Sequence, residues 1–205
     1  RYAFNLPSNV RIVLEDGCVL KMAGTQMTGT TKADTFIFGG GIRSGISVLG
    51  SGGPNRGRID MNAAGQSGYS GGYQQFGPSV FYALATGPAA YWRDITIEGL
   101  DLCNMFGNPL SMFSTDASAT ADGIINRNLT VRNVRAWNFG EGPVWGHCYN
   151  WLFEDVELRD FTTCVGDWYE PSFTRYGVMR NCRAHGNGNA SANFSSYGTV
   201  CDFIS

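Results

Sequence analysis

Apolar and polar positions alternate, with one break of phase, along residues 128–138, NLTVRNVRAWN. Leu129 and Val131 alternate with Thr130 and Arg132; Asn133 then shifts the phase, and Val134 and Ala136 resume it around Arg135. Apolar spacings of two, three and two do not fit a helix, whose apolar positions recur at three and four. They predict two short strands, each alternating in and out, joined by a bend of one residue. The phrase recurs in DITIEGLDLCN (94–104), NWLFEDVELRD (150–160) and YGVMRNCRAHG (176–186). The bend residues are then Gly99, Asn133, Asp155 and Asn181. Gly, Asn and Asp are the types that tolerate a left-handed backbone.

A third short strand precedes each phrase, read as FIF (36–38), FYAL (81–84), GII (123–125), VWGH (144–147) and CVGD (164–167). VRIVLEDGCVLKM near the start and ISVLG (46–50) repeat the same strand-then-bend logic. Such a period predicts a solenoid in which each turn of chain stacks on the last and equivalent strands pair in parallel at about 4.8 Å per rung. Ile97 should then stack on Val131 and Phe153, and Leu100 on Val134 and Val156. The bend residues should form a column that satisfies turn backbone groups. Residues 62–79 and 104–122 read as long loops inserted into this frame.

On these motifs the chain resembles the right-handed parallel β-helix proteins of the pectate lyase-like superfamily. Its bend column looks like that superfamily's asparagine ladder. LPSNVRIVLEDGCVLKM resembles their opening coils, and GISVLGSGG with GRIDMN is similar to a segment of polygalacturonase-like members and phage tailspikes. The resemblance implies an all-β, right-handed, single-stranded parallel β-helix of about six to seven coils, three short strands per coil, across residues 1–205. Members of that group usually open with a helix that caps the first coil, and no capping pattern is visible. The expectation is an internal fragment of a longer chain, lacking its caps.

Composition narrows the partners. The formal net charge is −2 and charged residues are sparse, which gives no reason to expect nucleic acid or an anionic membrane. Gly, at 28 of 205, is about twice the ordinary share of roughly 7%, as a bend-rich repeat requires. Six Cys are too few for a disulfide scaffold and read as small buried thiols. No CxxC or His/Cys spacing points to zinc, so neither a metal site nor a cofactor is expected.

By the same resemblance, a groove would run along the strand preceding each phrase, walled by the neighbouring loops. Those walls are rich in aromatic residues, Tyr73, Tyr91, Trp92, Trp145 and Trp168 among them, with Glu170 beside them; these are the candidate substrate-binding residues. Flat rings suit the apolar faces of sugars, while amides and hydroxyls suit their hydroxyl groups. The candidate catalytic residues are Asp122, Glu141, His147 and Asp167. Setting Gly146 over Gly166 would place His147 one rung, about 4.8 Å, from Asp167; counting straight by one repeat aligns Trp145 with Asp167 instead. Hydrolysis of a glycosidic bond needs two carboxyl groups about 5–5.5 Å apart for retention or about 6.5–9.5 Å for inversion, close to one or two rungs. Asp155 belongs to the bend column, and Asp101 and Glu157 read as solvated positions on the third strand.

Two functions follow as expectations. One is a polysaccharide-binding and polysaccharide-degrading β-helix, a glycoside hydrolase or lyase such as a phage tailspike depolymerase. The other is a non-catalytic glycan-binding or structural β-helix of a tail fibre or adhesin. The paired aspartates typical of polygalacturonases are absent, and no Asp cluster of the calcium-dependent lyase kind is seen. The resemblance further implies a polysaccharide or cell-surface glycan as partner, a homotrimer, and an extracellular, secreted or virion-tail location.

Overall fold

A computed structural model describes residues 2–24, 27, 35–39, 41–70, 78–85, 91–114, 126–140, 144–145, 148–161, 166–167, 169–170, 175–185, 192–193 and 201–204. The strands come in threes. They are β1 (Tyr2–Asn5), β2 (Arg11–Leu14) and β3 (Val19–Lys21); β4 (Thr35–Gly39), β5 (Arg43–Gly50) and β6 (Arg58–Asp60); β7 (Phe81–Ala85), β8 (Trp92–Glu98) and β9 (Asp101–Cys103). They continue as β10 (Leu110–Ser114), β11 (Asn126–Arg132) and β12 (Arg135–Phe139), then β13 (Val144–Trp145), β14 (Cys148–Glu154) and β15 (Glu157–Phe161). The last are β16 (Gly166–Asp167), β17 (Tyr169–Glu170), β18 (Arg175–Arg180), β19 (Arg183–His185), β20 (Ala192–Asn193) and β21 (Cys201–Ile204). Among the described residues the one helical element is a 3-10 turn, Ala63–Gly65.

Among the described residues all strand pairings are parallel, and they form three large sheets and one two-stranded sheet. The first, here sheet A, runs β1-β4-β7-β10-β13-β17. Sheet B runs β2-β5-β8-β11-β14-β18-β21, and sheet C runs β3-β6-β9-β12-β15-β19. The chain thus visits the three sheets in turn, which makes an all-β, parallel-sheet solenoid. Alternation in each strand puts one set of side chains inside. Val48, Ile97, Val131, Phe153 and Met179 stand in register on sheet B, and Ile59, Leu102, Ala136 and Leu158 on sheet C. These residues are buried and share one core, as the alternation predicts.

Size is matched across rungs as well as hydrophobicity. In a second inward column Ile46, Ile95 and Leu129 are followed by Trp151 and then Gly177. A Cβ at Gly177 would fall on the Cε2–Cζ2 edge of the Trp151 indole. The largest side chain of the column is therefore accommodated by the absence of one on the next rung.

Between sheets B and C lie the predicted bends. Gly99, Asn133, Asp155 and Asn181 all have positive φ, from 51° to 70°. Each bend binds the next through backbone groups: Gly99 N–H donates to Arg132 O (3.0 Å), Asn133 N–H to Glu154 O (2.9 Å) and Asp155 N–H to Arg180 O (2.9 Å). Side chains add to this unevenly. Asn181 Nδ2 donates to Asp155 Oδ1 (3.2 Å), whereas Asn133 Nδ2 donates to Gly52 O (3.3 Å), past the rung of Gly99. Gly99 has no room for a side chain, because a Cβ there would strike the backbone of Gly50 and Gly52.

Two further columns of left-handed Asn and Asp were not anticipated. Asp94, Asn128 and Asn150 (φ 55–59°) lie within the sheet B strands, where Asn128 Nδ2 donates to Asp94 Oδ1 (2.7 Å) and Asn150 Nδ2 to Asn128 Oδ1 (2.9 Å). Asn104 and Asn138 (φ 56° and 54°) line sheet C, with Asn138 Nδ2 donating to Asn104 Oδ1 (2.9 Å) and Asn104 Nδ2 to Asp60 Oδ1 (2.9 Å). Each such residue turns its strand while its side chain ties two rungs together.

Sheet A departs from expectation at two places. Its fourth strand is Leu110–Ser114, inside the stretch read as a loop over 104–122, and not GII, which lies outside the described residues. Its last strand is Tyr169–Glu170; Gly166–Asp167 pairs instead with Ala192–Asn193 in a separate two-stranded sheet. Local alternation cannot tell which of two neighbouring short strands the preceding rung will select.

Candidate functional site

Sheet A is the expected groove floor, and its register is defined over five steps by the pairing of successive strands. Leu110 lies beside Phe81 and Val144, and Ser111 beside Tyr82 and Trp145. Val144 and Trp145 lie beside Tyr169 and Glu170. Glu170 is therefore a strand residue one rung from Trp145, and not a loop residue. Asp167 stands beside Asn193 on the two-stranded sheet. Asp122, Glu141, His147, Tyr73 and Trp168 lie outside the described residues.

Two of the expected substrate-binding residues have described side chains, and they behave differently. Trp92 is 1% exposed, and its backbone N–H donates to the buried Asn126 Oδ1 (2.8 Å). It belongs to the core, not to an accessible wall. Tyr91, the residue before it, is half-buried and carries the Arg127 guanidinium over its ring at 5.8 Å. Alternation at the start of a strand sends neighbouring aromatic residues to opposite sides.

The near part of the loop over 62–79 is built as a firm buttress. After the 3-10 turn the buried Gln66 receives a hydrogen bond from Met27 N–H (3.0 Å) and donates from Nε2 to Ala23 O (2.8 Å). Tyr69 then packs its ring on Phe106 at 4.4 Å, both largely buried. Two loops that read as separate walls thus meet, and both rings are taken up in that contact.

Seven acids on or beside sheets B and C have structural partners. Asp101, expected to be solvated, is 2% exposed and accepts two hydrogen bonds from Arg135, Nε to Oδ1 and Nη2 to Oδ2, both 2.7 Å. Asp60, Asp94 and Asp155 accept from the Asn columns. Glu98, Glu154 and Glu157 pair with Arg132 (2.9 Å), Arg180 (3.0 Å) and Arg159 (3.6 Å). The hydrogen bond to Asp101 raises the Arg135 pKa, while burial and the Arg135 charge lower that of Arg56. Burial pushes the Cys103 and Cys148 thiols up to about 12, away from the thiolate a nucleophile needs. Among the described residues, no group of three or more His, Cys, Asp or Glu is placed to hold a metal ion.

Of the acid–base residues expected from sequence, Asp167 is placed on the two-stranded sheet, and Asp122, Glu141 and His147 lie outside the described residues. Sequence reading assigned acid–base and sugar-binding roles to the strand preceding each phrase and its loops, and among those residues Trp92 is in the core. It missed Asp101 because a buried, paired carboxylate and a solvated one look alike in a strand of three residues.

No family model matches the chain, and no curated protein matches it. Among solved structures it is similar to that of a candidate glycosyl hydrolase from Parabacteroides merdae ATCC 43184, with a TM-score of 0.61 at 16% identity. The likeness covers 95% of this chain and 80% of the other. It extends along almost the whole solenoid and concerns the fold.

Proposed function

We propose that the chain is a right-handed parallel β-helix that binds a polysaccharide along sheet A and cleaves it, as a glycoside hydrolase or a polysaccharide lyase. The observation that carries this reading is the division of labour among the sheets. On B and C the pairs Glu98–Arg132, Asp101–Arg135 and Glu154–Arg180 tie charged side chains rung to rung, whereas sheet A brings Trp145 and Glu170 one rung apart; to this we add Asp122, Glu141 and Asp167 as the catalytic acids. The fold shared with a candidate glycosyl hydrolase supports a carbohydrate-related activity in general. Two of those carboxyl groups, one or two rungs apart, would meet the spacing that glycoside hydrolysis requires, with His147 as a further acid–base group.

A second reading is favoured by one fact: seven described acids are occupied structurally. The same groove would then bind glycan without cleaving it, as in a tail fibre or adhesin. For both readings we place the protein outside the cell or on a virion tail, as a homotrimer. Incubation with capsular, O-antigen and plant uronan polysaccharides separates them. New reducing ends or unsaturated products establish the enzyme, and their loss in Glu141→Gln or Asp167→Asn places the site. Glycan binding with neither product refutes cleavage.

A further inference from the structure

The outward faces of sheets B and C carry columns of alternating charge. On sheet B, Glu98, Arg132, Glu154 and Arg180 stand in register, two acids against two guanidinium groups. On sheet C the column reads Val19, Arg58, Asp101, Arg135, Glu157 and Arg183. Three guanidinium groups face two carboxylates there, so the column is one acid short at its Arg58 end. We propose that the pocket beside Arg58 binds a ligand of about monosaccharide size through a carboxylate group, which supplies the missing charge.

The other cations near this pocket have their partners. Arg135 holds Asp101 with two hydrogen bonds of 2.7 Å, and Arg56 Nε lies 3.7 Å from the same carboxylate. Arg56 also donates to the carbonyls of Gly53 (3.1 Å), Asn133 (2.8 Å) and Gly52 (2.9 Å), pinning the bend. Arg58 has no hydrogen-bond acceptor and no ion pair among the described residues. Its guanidinium lies over the Trp137 ring at 5.3 Å, and its Nε is shut off from solvent without a partner. The next position down the column is Val19, an apolar side chain in a residue 49% exposed.

Beside Arg58 lies a pocket of about 320 Å³, lined by Val19, Pro54 and Asn55 as well as by Arg58, Asp101 and Arg135. Its charged lining is Arg56, Arg58 and Arg135 against Asp16 and Asp101, an excess of one positive charge. That suits a monoanion. The planar guanidinium fork suits the two oxygens of a carboxylate. The volume lies at the small end of the range for small-molecule sites. The pocket is on sheet C, away from the sheet A groove, so it stands whether or not that groove cleaves glycan.

Titration of the full chain with glucuronate at low ionic strength, followed by the ligand's own proton resonances in every variant and by the Arg58 Nε–H resonance where Arg58 is present, tests the site. We expect a saturable shift with a dissociation constant on the order of millimolar. Arg58→Gln should weaken binding about tenfold or more. Val19→Asp places a carboxylate on the rung below Arg58 and should block the probe equally, with circular dichroism unchanged. Glucose, the neutral analogue, should leave the resonance in place. The proposal is overturned by any of four results: no saturable shift, an equal shift with glucose, sulfate or inorganic phosphate binding as tightly as glucuronate, or Val19→Asp binding like the parent.

Discussion

Gly177→Ala is a one-methyl change whose cost follows from the rung beside it. The Gly177 backbone is not in the left-handed region, so alanine is conformationally acceptable there and would by itself stabilise by about 0.4–1 kcal/mol through the unfolded chain. The opposing term is steric. The added methyl falls on the edge of the Trp151 indole, which is almost fully buried and packs against Phe153 at 5.2 Å between centroids. Expelling the ring would expose about 150–250 Å² of aromatic surface, worth about 4–6 kcal/mol at about 25 cal/mol per Å². Moving the rungs apart is cheaper, at about 1–3 kcal/mol for an overpacked core, so that route sets the loss at about 2 kcal/mol. Trp151→Leu alone leaves a cavity and should cost about as much. In the double variant the methyl grows into vacated space, and the two losses should fall short of additive by about 1–2 kcal/mol. Urea unfolding of the four proteins, followed by far-ultraviolet circular dichroism, measures this coupling. Additivity within about 0.5 kcal/mol would show that Trp151 and Gly177 are not in contact and would refute the register.

Three other outcomes can be checked in the same way. Tyr176 is 65% exposed at φ 55°, on the rung above Asn150, where a bulky residue costs about 1–2 kcal/mol. Tyr176→Asn should therefore raise the unfolding free energy measured in urea by about 1 kcal/mol and extend the column. Asp101→Asn leaves Arg135 and Arg56 together without their buried carboxylate and should cost about 3 kcal/mol in thermal or urea unfolding; adding Arg135→Met should recover part of it. Cys103 and Cys148 stay protonated in the folded chain up to about pH 12, whereas in the unfolded chain they ionise from about pH 9. Since the folded value is the raised one, their contribution is intact below pH 9 and is lost as pH rises towards 12, by about 1.4 kcal/mol per unit for each thiol. Iodoacetamide at pH 8 should accordingly modify these two only after unfolding; rapid native-state labelling would contradict their burial.

Alternation and a bend tolerant of positive φ are properties of four or five neighbouring residues, so the strand–bend–strand phrase and its stacking partners were legible in sequence. Ile97, Val131 and Phe153 stand in register as expected, and so do Asn133, Asp155 and Asn181 as left-handed bends. The two extra Asn columns were legible in principle. Asn128 and Asn150 recur at the same offset of 22 residues that relates the bends, but inside a strand they read as ordinary outward polar positions. The depth of Asp101, the core position of Trp92 and the pairing of Trp145 with Glu170 were settled only by the tertiary structure. Which residue meets which across a rung depends on the length of chain taken up in the turn between them, and turn length leaves no trace in local alternation. A carboxylate in a strand is buried or solvated according to whether the next rung brings a guanidinium within reach. That too is decided by the neighbour and not by the strand itself.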